Sequence, residues 1–318
     1  MGQEQNHKLK GTVCGIIAAV CYGTNPLGAL PLYSEGVNTC SALFYRFFFA
    51  MLILGGLLLI QRKSFAISVR ELSILMPLGV LMGSSSLSLY MSFHHMAAGI
   101  ASTLLFVYPV MVAVLMAVLF KEHITFSTTA SIVLALGGIV LLYHGNGNET
   151  LSVTGVALVM LSSLTYAVYI IIVNKSPLRL SSIKLTFYVL VFGSITIAFY
   201  SVFGTDGLLQ MPPSARAWAL GFMLALLPTV ISLVTMAIAV REIGSTPTAI
   251  MGALEPLTAV VIGITIFGET LTIRLAIGIV LILAAVLTII AGKSLDRHKL
   301  TIVRGYMGRL LRKTWRWK

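Results

Sequence analysis

Charge is what this sequence has least of. Only 10% of its 318 residues are Asp, Glu, Lys or Arg, where a soluble domain carries about 25%. The chain is 58% hydrophobic, with a mean hydropathy of +0.97. It cannot cover itself with polar surface, which excludes a water-soluble globular fold and makes lipid its solvent. Cysteine is nearly absent. Cys14, Cys21 and Cys40 are odd in number and sit in apolar settings, so they read as small hydrophobes, and a disulfide framework or Cys-based metal site is excluded. No Gly-x-Ser-x-Gly or His-Glu-x-x-His string occurs, and no Walker lysine motif, so neither a common hydrolase centre nor ATP drive from this chain is expected. No cofactor and no metal is predicted.

Long apolar runs are abundant. A helix needs about 20 apolar residues to span the hydrocarbon core, and ten runs qualify, near 11–32, 41–60, 72–93, 96–120, 126–143, 151–173, 185–203, 215–240, 249–267 and 271–291. They are continuous rather than alternating, which excludes a barrel. The first run follows a polar stretch and lacks a small-residue cleavage site, so it reads as an uncleaved helix. The predicted class is an all-α membrane protein of ten transmembrane helices.

The net charge of +12 is topological and does not point to nucleic acid. With the N-terminus in the cytoplasm, 19 of the 22 Lys and Arg fall on the inner side. They are Lys8, Lys10, Arg62, Lys63, Arg70, Lys121, Lys175, Arg179, Lys184, Arg241 and nine in the tail from Lys293 to Lys318. Only Arg216 and Arg274 fall outside, and Arg46 lies within a span. This bias predicts cytoplasmic N and C termini. The tail, with Trp315 and Trp317, reads as a stop-transfer anchor or as a clamp on anionic lipid headgroups.

A shift of 147 residues superimposes Pro109 on Pro256, Phe120 on Phe267, Glu122 on Glu269, Thr125 on Thr272 and Gly145 on Gly292. A shift of 144 sets Gly11 on Gly155 and Tyr22 on Tyr166. Each copy holds five helices. Five is odd, so the second copy enters the bilayer from the opposite side, giving two inverted repeats. The expected segments are a cytoplasmic N-terminus at 1–10, repeats at 11–145 and 151–292, and a basic cytoplasmic tail at 293–318. Inverted repeats suit alternating access about a site near the midplane.

The string from Ala253 through Glu255-Pro256 to Phe267-Gly-Glu269 and Thr272 resembles the signature of the EamA family of the drug/metabolite transporter superfamily. Tyr108-Pro-Val to Phe120-Lys-Glu-His-Ile-Thr125, Tyr22-Gly-Thr-Asn-Pro26 and Arg46-Phe-Phe-Phe-Ala50 resemble the same pattern. The resemblance covers nearly the whole chain as two tandem modules. It implies a carrier of a small polar metabolite, an exporter of amino acids or related compounds in a bacterial cytoplasmic membrane, with proton coupling or solute antiport of the nucleotide-sugar type as the drive. An intramembrane enzyme is the alternative from another class, and the spans lack the clustered acids and histidines it would need.

Six residues are candidates for the site. Glu255 lies about 12 Å deep in its helix, where inserting an acid costs on the order of 2.5–3.5 kcal/mol. Pro256 follows it, breaks the helix and frees a backbone carbonyl one turn earlier, so Glu255 is expected to bind a proton or the cationic part of a substrate, or to pin its helix. Its counterpart in the first copy is Tyr108, an opposing wall or a packed aromatic. Arg46 is either an interfacial Arg with a snorkelling stem, a ligand for carboxylate or phosphate, or a partner to Glu255. Tyr22, Thr24 and Asn25 precede Pro26 at a helix break of the type that lines carrier sites.

Four further features read as structural. The Ser84, Ser85, Ser86 and Ser88 stretch suits close helix packing, with cavity lining as the alternative. His94 and His95 are adjacent, so they cannot grip a metal as a helical pair. Glu122 and Glu269 open short turns and are expected to favour the N-terminus of the helix that follows each. Asn148-Glu-Thr150 matches a glycosylation sequon.

Overall fold

A computed structural model describes residues 2–121, 125–143, 152–178, 180–204 and 206–290. Glu122, Asn148 and the basic tail lie outside these. The described residues form an all-helical bundle without strands. Nine helical stretches are long and apolar enough to cross a membrane, and a tenth, Phe126–Leu142, is shorter and equally apolar. All ten expected spans are therefore present as helices.

Four of the ten are interrupted. The first span is α1 (Gly2–Gly23) and α2 (Asn25–Ser34), followed by α3 (Thr39–Ile60) and α4 (Val69–Ser92). The fourth is α5 (Ala98–Leu105) and α6 (Tyr108–Phe120), then α7 (Phe126–Tyr143). The second half runs α8 (Val153–Lys175), α9 (Ser182–Phe203), α10 (Ala215–Ala225), a π-helical turn (Leu226–Ile231), α11 (Ser232–Ile243), α12 (Ser245–Met251) and α13 (Leu254–Phe267). The last helix is α14 (Ile273–Ile290).

Two of these breaks were expected, at Gly23–Pro26 and beside Pro256. The fourth and eighth spans read as continuous, and they are broken near Pro109 and Pro228. A proline lacks the N–H that would reach the carbonyl four residues back. Leucine-rich flanks hide that local effect from a hydropathy reading.

Helix starts follow capping chemistry. The side chains of Asn38, Ser152, Ser181 and Ser214 accept from backbone N–H groups three residues on. Ser68 and Glu71 form a reciprocal capping box at α4. The helix ends repeat as well. α6 ends on Lys121 and α13 on Gly268, both left-handed, with φ of 53° and 66°. These positions are 147 apart, so the repeat extends to backbone conformation, even where one copy has no glycine.

The core is built on α3, α4, α5 and α14, with Phe47, Tyr90, Leu104 and Ile282 fully enclosed. α7 and α14, the fifth helices of the two copies, cross closely. A Cβ at Gly138 would lie 2.9 Å from the Gly278 carbonyl, and one at Gly278 would lie 3.1 Å from that of Gly138. Large apolar side chains such as Phe126, Phe199 and Val280 are exposed around the perimeter, as a lipid-facing surface requires.

Ser85 and Ser162 exchange hydrogen bonds between α4 and α8, so this part of the serine stretch joins two helices. His94 lies just past α4, stacks on Tyr33 at 4.3 Å and meets Thr39 Oγ1 at 3.0 Å. Glu269 corrects an expectation. Its carboxylate accepts from the N–H groups of Ala98 and Gly99 at 2.8 and 3.3 Å. It caps α5 of the other repeat rather than the helix that follows it. The turn at Gly268 brings it back along α13, which packs on α5. Burial pushes the Glu269 carboxyl above its ordinary range, and the two N–H bonds pull it partly back.

Candidate functional site

The site begins with the prolines. Pro26, Pro228 and Pro109 orphan the carbonyls of Tyr22, Leu224 and Leu105, each four residues earlier. No water reaches such groups in hydrocarbon, so each needs a protein donor. Asn25 Nδ2 donates to the Tyr22 carbonyl at 2.7 Å. Thr229 Oγ1 donates to the Leu224 carbonyl at 3.1 Å. Ser163 Oγ donates to the Leu105 carbonyl at 2.8 Å. The polar residues beside the breaks are therefore first of all repairs to the backbone. Thr24 acts likewise, its hydroxyl donating to Cys21 O at 2.6 Å.

Two of these repairs continue into one network around Arg46. Its Nε donates to Thr229 Oγ1 at 2.9 Å, and its Nη1 to the Tyr90 hydroxyl at 2.9 Å. Tyr90 donates onward to Asn25 Oδ1 at 3.0 Å. Both chains of donors run outward from the guanidinium, so each dipole is aligned with its charge and the bonds reinforce one another. Arg46 also stands 5.6 and 5.9 Å from the ring centroids of Tyr90 and Phe47, within cation–π range. It is 3% exposed. The snorkelling alternative is thereby overturned, because the stem and the head are both enclosed by neighbouring helices.

Glu255 enters from the other repeat, in the first turn of α13. It is half-buried and within electrostatic range of Arg46, Tyr22, Tyr108 and Tyr166. Among the described residues its carboxylate takes no hydrogen bond from the protein, and no side-chain oxygen or nitrogen is both fully enclosed and unpartnered. Its oxygens therefore border open space. Arg46 and Glu255 do not form an ion pair within 4.0 Å; the ion pairs of the described residues include His7 and Lys10 with Glu242, and Arg216 with Glu35.

Aromatic rings complete the wall. Tyr108 packs edge-on against Tyr166 at 4.8 Å, and Tyr166 stacks on Tyr169 at 5.7 Å. Tyr22, Tyr108, Tyr166 and Tyr169 are all half-buried. Tyr22 and Tyr166 are related by the 144 shift, and Tyr108 and Glu255 by the 147 shift. Four positions related in two pairs thus face one another, with the acid on one side only. The α1 backbone touches this place directly. A Cβ on Gly23 would lie 2.6 Å from the Glu255 carbonyl oxygen and 2.6 Å from Thr258 Cβ.

The structure gathers Tyr22, Asn25, Arg46, Tyr108 and Glu255 in one region. Thr24 joins it only through the backbone. Sequence reasoning missed Tyr90, Tyr166, Tyr169 and Thr229, although the 144 shift onto Tyr22 was an available signal for Tyr166. Pro228 was the available signal for Thr229, since a hydroxyl beside an intramembrane proline has a carbonyl to satisfy. Tyr90 and Tyr169 carried none.

The EamA-like transporter family model matches residues 9–144 and 153–291. An uncharacterized transporter of Archaeoglobus fulgidus is 30% identical over 59% of this chain and 65% of its own length. The uncharacterized transporter YdfC of Bacillus subtilis is 25% identical over 57% of this chain and 59% of its own length, so these two matches span less than two thirds of either relative. The uncharacterized transporter YcbK of Bacillus subtilis is 22% identical over 87% of this chain and 93% of its own. One protein of known crystal structure aligns with a TM-score of 0.62 at 16% identity, covering 87% of this chain and 95% of the other. That likeness concerns the fold alone.

Proposed function

The chain belongs to the EamA-like transporter family, an integral multi-pass membrane protein built as two repeats, and from that premise we propose that it exports an amino acid or a closely related zwitterionic metabolite by alternating access. One observation carries the substrate class. A buried cation from the first repeat and an acid from the second border the same region without pairing with each other. Arg46 is positioned to receive a carboxylate and Glu255 an ammonium, while the tyrosines pack against the body of the solute. A zwitterion bound between them brings both charges a counter-charge at once, which lowers the desolvation penalty of all four groups.

Empty, Glu255 is left with no hydrogen-bonding partner, and a proton is the simplest one it can take. Substrate ammonium and proton then compete for one carboxylate, which is how a single acid couples export of the solute to entry of a proton. The cross-repeat contacts at the two ends fit alternating access. On one face His7 and Lys10 of α1 hold Glu242 of α11 at 2.6 and 3.1 Å. On the other, Asn38 Nδ2 bonds the carbonyls of Asp206 and Leu208. The first face carries the excess of Lys and Arg, which supports the reading that both termini are cytoplasmic.

The test is counterflow in proteoliposomes of purified protein, using labelled amino acids as a pool and individually. Saturable exchange of a zwitterion, with loss of proton-driven flux in Glu255→Gln, is the expected result. Exchange restricted to solutes lacking either charge would overturn the substrate class.

A further inference from the structure

α11 is placed unequally between its neighbours. It packs along α1, whereas α4, whose C-terminal part is its counterpart in the first repeat, packs both on α8, the counterpart of α1, and on α9. Below the π-helical turn, α11 therefore diverges from α3 and α9 and leaves a crevice of about 400 Å³. The wall from Leu54, Leu233 and Val234 is apolar, and the mouth is lined by Ser182, Thr186 and Arg241. Arg241 is exposed. Its neighbour Glu242 does not face this mouth, because it is held on the opposite side by His7 and Lys10 of α1. Lys184, one turn into α9, adds a second cation nearby, its Nζ donating to Ala66 O at 2.7 Å.

The crevice is thus apolar inside and cationic at its mouth, and it lies on the face where Arg62, Lys63 and Arg70 also sit. From Arg241 to Leu233 the helix runs about 12 Å. A polar solute would strip water against the apolar wall and gain nothing there. A basic pocket between membrane helices with an apolar extension matches one class of occupant, an anionic lipid.

We propose that this crevice is a binding site for an anionic phospholipid, whose phosphate is held at Arg241 and whose acyl chain lies against Leu233, Val234 and Leu54. The lipid fills the space that α11 vacates and so favours the arrangement in which α11 packs on α1. The site is separate from the Arg46–Glu255 region and does not depend on which solute is carried.

The full-length protein in detergent is titrated with dioleoyl phosphatidylglycerol, dioleoyl phosphatidylcholine or inorganic phosphate, and its thermal unfolding midpoint is followed. Phosphatidylglycerol is expected to raise the midpoint saturably, with phosphatidylcholine weaker and phosphate without effect. Arg241→Gln should raise the half-saturating phosphatidylglycerol concentration about fivefold, as the loss of one membrane-surface cation implies, and Arg241→Lys should stay near wild type. Ala237→Phe, which fills the crevice, should remove the saturable response. Should that variant fail to fold, the Gln and Lys pair at the exposed Arg241 still decides. Equal responses to the two lipids, a phosphatidylglycerol response unchanged in Arg241→Gln, or an equal shift with inorganic phosphate would each overturn the proposal. The second result would place the lipid elsewhere on the basic face, and the third would make this a soluble-anion site.

Discussion

Arg46 of the first repeat donates its Nε–H to Thr229 Oγ1 of the second at 2.9 Å, and the same hydroxyl donates to the carbonyl that Pro228 leaves open. One threonine thus stabilises a π-helical turn and joins the two repeats. π-Helical turns are rare and recur at functional sites. Here the turn is where α10, packed on α3, gives way to α11, packed on α1.

Thr229→Val removes an acceptor for a buried cation and leaves the Leu224 carbonyl without a donor. A hydrogen bond to a charged group is worth about 1.5–3 kcal/mol in water-based measurements, and membrane interiors run lower, about 0.6–1.7. A loss of about 1–2 kcal/mol is expected in Thr229→Val, with Thr229→Ser close to wild type. Unfolding midpoints in mixed micelles check this.

Glu255→Gln keeps the shape and removes the charge. Proton-driven transport in proteoliposomes should fall at least tenfold, a loss of about 1.4 kcal/mol or more. Facilitated counterflow should survive in part, because Arg46 and the tyrosine wall are untouched. Full proton-driven flux in this variant would refute the coupling role.

Gly23→Ala places a methyl 2.6 Å from the Glu255 carbonyl oxygen. Backbone cannot give way as a side chain can, so α1 must shift from α13, at a cost of about 1–3 kcal/mol. Transport and unfolding midpoint should both drop. Gly56→Ala is the control, since its added Cβ meets nothing within 4 Å, and it should match or slightly exceed wild-type stability.

Glu269 sets a pH dependence. Its carboxyl titrates above the ordinary value in the folded protein, so between its unfolded and folded values the native state binds more protons than the unfolded state. Stability then falls as pH rises through that window, and its contribution is fully present below it. Glu269→Gln should flatten this part of the profile while retaining one acceptor for the α5 N-terminus. Unfolding midpoints between pH 3.5 and 7 measure the slope, and an unchanged slope in the variant would reject the assignment.

Much of this was legible in one dimension. Ten apolar runs, the Lys and Arg bias and the shift of 147 depend on length, charge and order along the chain, and the structure contains every span. The breaks at Pro26 and Pro256 were legible beside polar residues, but those in the fourth and eighth spans were not, because Pro109 and Pro228 act on hydrogen bonds while the surrounding residues remain as apolar as any helix interior. Glu269 was read as a local cap and instead caps α5 from the other repeat, since nothing in sequence spacing records which helix N-terminus a turn faces.

By itself, the sequence determined the solvent of this protein, the number of its spans, their duplicated order and the identity of its rare intramembrane charges. All of these follow from how much apolar length and how few charges the chain has. The tertiary structure alone decided that Arg46 is enclosed and bonded to Tyr90 and Thr229, that Glu255 stands near it without pairing, and that Tyr22 and Tyr166 face the same space. Those relations join residues up to 209 positions apart. They arise from helix crossings set by glycine contacts and proline breaks, which act in three dimensions and leave no periodic trace along the chain.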